Sequence, residues 1–310
     1  MLVTVTLNPS LDRLIYVKNL LPNDTNRILA IEEDAGGKGV NVARVFNRLE
    51  GEVTATGFLG GRAGSYVARV LEDEGVNCDF TRIALDTRTN WAIQEEDGSP
   101  PTALNSPGPE ILPDELEDFT RKLETLSKKS SYVAFCGSVP RGVPKDIYQT
   151  LTKTVVQNGC KVVLDADEDA LRHGIQSQPY LVKPNEYEAS RLLGQPVQTI
   201  EQAAQAARKI HQMGVEYVIV SMGADGAVAA SAEAVVLAVP PRVTTVSTIG
   251  SGDSMVAGFL SVMLKQGGDL DEAMRWGTAA GAATAMTDGS DIGNAAQIRE
   301  LLDRVEIRFL

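Results

Sequence analysis

Short apolar runs rich in β-branched residues recur along the chain and alternate with longer stretches whose apolar positions return every three or four residues. The runs at 2–7, 53–58, 132–135, 161–164, 180–182 and 217–220 are each bounded by Gly, Pro, Asn or Ser, the pattern of strands covered on both faces. The helical pattern spans 41–49, 66–74, 114–127, 145–157, 200–213, 254–266 and 270–286. Pro113 followed by Asp114 and Glu115 makes a good helix start, because acidic side chains suit the positive end of the helix dipole. This alternation predicts an α/β fold with a mainly parallel central sheet flanked by helices. No repeat of fixed period and no low-complexity linker interrupts it, so residues 1–310 are expected to form a single domain.

Two stretches break the rhythm. Residues 11–17 with 28–31, and 89–94 with 102–104, read as strands inserted near 11–34 and 88–106. They are either ordinary surface hairpins or a small β-sheet lid over the C-terminal edge of the main sheet, where open α/β folds place their ligands.

Composition narrows the classes. With 310 residues, 43% hydrophobic and 23% charged, the chain has the material for a large core. A net charge of -12 and no long Lys/Arg run argue against nucleic acid as a partner. The start lacks the features of a signal peptide, and no apolar run reaches the ~20 residues that span a bilayer, so no membrane partner is expected. Cys78, Cys136 and Cys160 are widely spaced and form no Cys-x-x-Cys pair, which fits a reducing cytoplasm better than a disulfide framework or zinc site.

The densest chemistry lies late in the chain. Val243-Thr244-Thr245-Val246 reads as a strand, Ser247 to Asp253 as a glycine-rich turn, and the residues from Ser254 as a buried helix. Free N–H groups at a helix start bind anions, and Gly250 and Gly252 let a phosphate oxygen approach without Cβ interference. Asp253 at that end is either an N-cap or a base that accepts a proton from a substrate hydroxyl during phosphoryl transfer. A second cluster, Ala35-Gly36-Gly37-Lys38-Gly39-Val40-Asn41, opens another helix, with Asn41 able to donate to and accept from sugar hydroxyls. It is not a P-loop, because Gly39 and not Ser or Thr follows Lys38. No Gly-x-Gly-x-x-Gly follows a strand, which weakens a dinucleotide-binding reading.

Together the two clusters resemble the paired signatures of the ribokinase-like carbohydrate kinases, specifically the phosphofructokinase-B branch. The resemblance runs along nearly the whole chain. It includes Thr6-Leu7-Asn8-Pro9-Ser10-Leu11-Asp12, Thr87-Arg88-Thr89-Asn90, Pro107-Gly108-Pro109, Gly137-Ser138-Val139-Pro140, Lys183-Pro184-Asn185-Glu186-Tyr187-Glu188 and Ser221-Met222-Gly223-Ala224-Asp225-Gly226. It implies a ribokinase-like fold with a β-sheet lid, ATP and Mg²⁺ as cofactors, and a homodimer joined through the lid. The aspartate matching Asp253 is the catalytic base in that family, and the turn matching Gly250, Ser251 and Gly252 stabilises the transferring phosphoryl group.

The same resemblance places Asp12, Gly37, Gly39 and Asn41 on the sugar hydroxyls and Ser138 at the pocket wall. Arg27, Lys38 and Arg88 are the basic residues nearest those motifs, and a substrate already carrying a phosphate needs such donors. Asn185 and Glu188 match an element acting on magnesium, through water because Mg²⁺ keeps its hydration shell. Lys183, Ser221, Gly223, Gly226 and Thr248 match nucleotide-binding positions. There are departures: Ser247 replaces an aspartate of many ribokinases, Ser251 replaces an alanine, Asp165-Ala166-Asp167 stands where relatives carry Asp-x-Ser, and 288–294 matches the adenine-pocket pattern poorly. The expected activity is ATP-dependent phosphorylation of a ketohexose monophosphate, with fructose 1-phosphate ahead of tagatose 6-phosphate and fructose 6-phosphate. A kinase of a neutral sugar or nucleoside, and a non-catalytic sugar-phosphate sensor, are the alternatives.

Overall fold

The computed structural model describes every residue except Gly98, Pro100, Gln266, Gly267 and Ser290. In chain order the strands are β1 (Leu2–Thr6), β2 (Ser10–Val17), β3 (Ile28–Gly36), β4 (Val53–Leu59), β5 (Asn77–Cys78), β6 (Thr81–Arg82), β7 (Arg88–Glu95), β8 (Thr102–Leu104), β9 (Tyr132–Cys136), β10 (Lys161–Asp165), β11 (Leu181–Val182), β12 (Tyr217–Ser221), β13 (Ala227–Ala230), β14 (Val235–Val239) and β15 (Glu306–Phe309). The helices are α1 (Lys38–Arg48), α2 (Gly61–Asp73), α3 (Pro113–Ser127), α4 (Ile147–Gln157), α5 (Glu168–Ile175), α6 (Glu186–Leu193), α7 (Ile200–His211), α8 (Ser251–Met263), α9 (Leu270–Ala285) and α10 (Ala295–Leu301). The helix end expected at Gln266 lies outside the described residues.

The large sheet runs β15-β14-β13-β12-β11-β10-β9-β1-β4-β5, with β6 also paired to β4. From β4 to β12 every pairing along that path is parallel. The strands alternate between two cores, as period-2 geometry requires. Leu2, Tyr132, Ala134 and Cys136 pack under α1, α8 and α9, while Val3, Val5, Val133 and Phe135 pack under α3, α4 and α7. Burial on both faces is why these segments read as unbroken apolar runs.

Beyond β12 the sheet continues antiparallel through β13, β14 and β15. One expected strand is absent: residues 243–246 are irregular. The Val246 N–H donates to the Ala285 carbonyl at the end of α9 (2.8 Å), so this β-branched run is tied to a helix end and has no strand neighbour.

The inserted segments form a separate four-stranded sheet in the order β3-β2-β7-β8. It leaves the large sheet at Asn8-Pro9, directly after β1, and returns through Gly37 into α1. Its base is therefore fixed to the C-terminal end of a central strand. Asp12 and Asn90 are register partners on β2 and β7, as are Ile15 and Ile93, three residues on, which face the opposite way. Among the described residues no helix is long and apolar enough to cross a membrane.

Candidate active site

The C-terminal ends of the parallel strands converge with three helix starts. Parallel β-α units leave strand ends and helix N-termini at one edge of the sheet, where anions and polar ligands are favoured. Gly250 takes the left-handed conformation (φ 75°) that lets the chain turn into α8, and it places Asp253 in that helix's first turn. Asp253 is 7% exposed, and its Oδ2 accepts a 2.9 Å hydrogen bond from Asn41 Nδ2 of α1. Burial, reinforced by the charge of Asp165, pushes the Asp253 carboxyl up to about 6, although Lys38, the Asn41 bond and Lys183 oppose the rise.

Asp165 closes β10 and is wholly buried. Lys38 Nζ approaches its Oδ1 at 3.0 Å and Lys183 Nζ its Oδ2 at 3.2 Å. Burial alone would raise the Asp165 carboxyl, but Lys183 and Lys38 outweigh it and hold it below its ordinary value. Burial likewise works against the Lys38 ammonium and is outweighed by Asp165, Glu188 and Asp253, so Lys38 stays charged. Lys38 Nζ also lies 3.5 Å from Glu188 Oε1. Lys183 Nζ lies 3.1 Å from where a Cβ on Gly252 would sit, so its ammonium rests against the glycine turn.

Asn185 and Glu188 form a reciprocal cap on α6. Asn185 Oδ1 accepts from the Glu188 N–H at 2.8 Å, and Glu188 Oε2 accepts from the Asn185 N–H at 2.9 Å. Those two oxygens are engaged, which leaves Glu188 Oε1 facing the site. Among the described residues no group of three or more His, Cys, Asp or Glu gathers as a metal cage. Ser221 bridges to Asn185 across the adjoining strand ends, Gly223 has φ +56°, and a Cβ on Gly226 would stand 2.2 Å from the Ala238 carbonyl oxygen.

On the small-sheet side, Asp12 Oδ1 accepts from Ser10 Oγ (2.7 Å) and Asn90 Nδ2 (2.9 Å). Its Oδ2 lies 2.1 Å from the Cβ position that Gly36 lacks, so a side chain there would push the Asp12 carboxylate out of its place. Gly37 (φ +122°) and Gly39 pack on Thr6, at the end of β1. Asn8 Nδ2 donates to Ser138 Oγ and to the Pro107 carbonyl, both at 3.2 Å, linking three of the sequence motifs. Arg88 donates to the carbonyls of Ser106 and Asn8 at 2.9 Å each, while its buried Nε has no partner among the described residues. Burial lowers its affinity for its proton, and Asp12 and Asp167 partly restore it.

The structure thus brings together Asn41, Asp253, Lys38, Lys183 and Glu188, with Gly250, Ser251 and Gly252 as the turn between them. Arg27 and Thr248 are exposed; the Thr248 carbonyl accepts from the Ser251 N–H at 3.3 Å, so Thr248 touches the turn through its backbone, and Arg27 lies on the loop before β3. Asp165 and Asn8 carried no assigned role in the sequence reading. The visible signal for Asp165 was an acid closing the apolar run Val162-Val163-Leu164.

A buried carboxylate hydrogen-bonded to an amide, beside a helix start and two ammonium groups, is equipped to accept a proton from a hydroxyl while phosphate charge is held nearby. On an open, mainly parallel sheet, that defines a phosphotransferase-type site. The model for the pfkB family of carbohydrate kinases matches residues 5–296, and the chain belongs to that family. It is 34% identical over 310 residues to 1-phosphofructokinase of Bacillus subtilis, covering 100% of both chains. It is 36% identical over 287 residues to the Borreliella burgdorferi protein of the same name, covering 92% of each. The structure of Escherichia coli phosphofructokinase-2 in complex with potassium superposes with TM-score 0.91 at 28% identity, over 98% of each chain.

The raised Asp253 carboxyl gives a signed expectation. If Asp253 is the base, activity requires its ionised form, and kcat/KM for the acceptor should fall tenfold per pH unit below about 6 as it takes up a proton. Asp253→Asn should lower kcat by on the order of 10²- to 10⁴-fold with little change in folding. Steady-state rates from pH 5 to 8 check both, and near-normal turnover in the variant removes Asp253 from the chemistry.

Proposed function

We propose that this chain phosphorylates fructose 1-phosphate to fructose 1,6-bisphosphate, using ATP with Mg²⁺. The observation that carries the reading is the buried Asp253 carboxylate, held by Asn41 and facing a glycine turn flanked by Lys38 and Lys183. Asp253 accepts the proton of the substrate hydroxyl as that oxygen attacks the γ-phosphorus and the bond to the leaving diphosphate breaks. The first-turn N–H groups of α8, at Gly250, Ser251 and Gly252, take the charge of the transferring group. Asp12, Gly37, Gly39 and Asn41 orient the sugar, with Ser138 at the wall. Lys183, Asn185, Ser221, Gly223, Gly226 and Thr248 take the nucleotide, and Asn185 and Glu188 meet magnesium through its water.

Arg88 supports a phosphorylated acceptor over a neutral one. It is a largely buried guanidinium with no carboxylate partner within salt-bridge distance among the described residues, and a spectator phosphate supplies the missing charge. Arg27 is assigned to the same phosphate on the sequence reading. Arg88→Ala should raise KM for the sugar phosphate well before it lowers kcat, because a spectator group is bound alike in ground and transition states. A rise in KM for ATP instead would place the arginine on the other ligand.

The substrate is tested by coupled ADP-release assays on fructose 1-phosphate, tagatose 6-phosphate and fructose 6-phosphate. The reading expects the highest kcat/KM for the first. Turnover of ribose or a nucleoside with none of the three would refute it.

The small sheet serves this reading as a lid over the sugar, within one kinase domain spanning 1–310, and as a dimer contact. Its face away from Asp12 carries Ile31, Ile15 and Ile93 in register across three strands, with Trp91 opposite Leu104 nearby. Ile31 and Leu104 are exposed, and such a row suits a second copy of the chain. Sedimentation at micromolar concentration should give a dimer that Ile31→Lys dissociates; a monomeric unaltered protein would count against the contact. The free Cys78, Cys136 and Cys160 fit a cytoplasmic setting.

A further inference from the structure

Asp165 has a geometry that the reaction outlined above does not use. It is wholly buried, so it meets neither solvent nor a sugar hydroxyl. Its backbone is held in the sheet, opposite Cys136 of β9. Its two oxygens face ammonium groups from two different elements: Oδ1 accepts a hydrogen bond from Lys38 at the start of α1 (3.0 Å), and Oδ2 pairs by charge with Lys183, just past β11, at 3.2 Å without hydrogen-bond geometry. Lys38 is further tied to Glu188, and Lys183 lies against Gly252.

We propose that Asp165 is a positioning residue for phosphoryl transfer: its carboxylate fixes the ammonium groups of Lys38 and Lys183 beside the Asp253 turn. A lysine ammonium sits on a flexible four-carbon stem and carries substantial rotamer freedom. Two such cations within reach of one carboxylate also repel each other. The carboxylate removes the repulsion and restricts both stems before any phosphate arrives, which is preorganisation of charge where the transition state needs it. Once phosphate oxygens enter, each ammonium has further N–H donors to offer them without leaving Asp165.

The inference rests on the phosphoryl-transfer reading, and its test separates the two. Asp165→Asn keeps size and removes charge. With fructose 1-phosphate as acceptor, it should lower kcat roughly 10- to 100-fold, the scale of losing a fixed geometry, while KM for the sugar phosphate changes by less than about threefold. Lys38→Met should lower kcat on the same scale, and the loss in the double variant should be clearly less than the sum of the two, because the Asp165–Lys38 contact is shared while Lys183 is released only by the Asp165 change. Additive losses, or unchanged kcat in Asp165→Asn while the unaltered enzyme is active, overturn the inference alone. Recovery of Asp165→Asn by raised Mg²⁺ also overturns it, since the carboxylate would then serve the ion. If the unaltered protein phosphorylates none of the three ketohexose phosphates, the proposed function falls and takes this inference with it. Should Asp165→Asn fail to fold, Asp165→Glu carries the test: the displaced charge should still lower kcat with KM held, and full kcat would refute positioning.

Discussion

Taking a carboxylate out of water costs several kcal/mol unless partners replace the lost hydration. At Asp165 the replacement is two lysines, one from each of two separate βα crossings. That contact constrains the surrounding site. It requires β10 to end level with β9, α1 to begin beside that end, and the chain leaving β11 to turn the Lys183 side chain inward. It also leaves a negative charge near Asp253, which joins burial in keeping that carboxyl proton-hungry close to neutral pH. The cations and the base are thus tuned against one another: the lysines restrain the rise that burial and Asp165 produce. A base with an ordinary carboxyl affinity would be a poorer proton acceptor, and one raised much further would be protonated at working pH.

The large sheet provides the frame for this cluster, and the small sheet rises from the end of β1 beside it. Because β2 departs directly after β1, Asn8 and Asp12 stay close to that strand's end, and Asn8 is tied to Ser138 beyond β9 by a 3.2 Å hydrogen bond. Arg88 braces the same junction through two carbonyls and has no carboxylate in salt-bridge range among the described residues. The opposite face of the small sheet, with its isoleucine row, is separated from the ligand side by the pleat alone.

The fold was legible where burial on both faces writes unbroken apolar runs, as in β1, β4, β9, β10 and β12. It was least legible where those runs are weak. Ala227–Ala230 is half alanine or more in composition, with little strand preference of its own, and it is a strand because β12 and β14 pair with it on both edges. Residues 243–246 show the converse, a β-branched run whose backbone is bound to the end of α9. The glycine turns revealed two of the three helix starts in the site because glycine is required there by conformation and by close approach. Asp165 was hidden because an acid ending a strand looks the same in sequence whether it meets solvent or two lysines. Arg27 and Thr248 depend on long loops whose course no periodicity encodes, and the structure leaves both exposed.

Burial and the charge of Asp165 raise the Asp253 carboxyl into the range that suits a base. Carbon-13 NMR of protein labelled at the aspartate carboxyls, with Asp253→Asn to assign the resonance, reads that proton affinity in the ligand-free protein. The account predicts a titration midpoint for Asp253 near 6. A midpoint near the ordinary aspartate value of about 4 would contradict it.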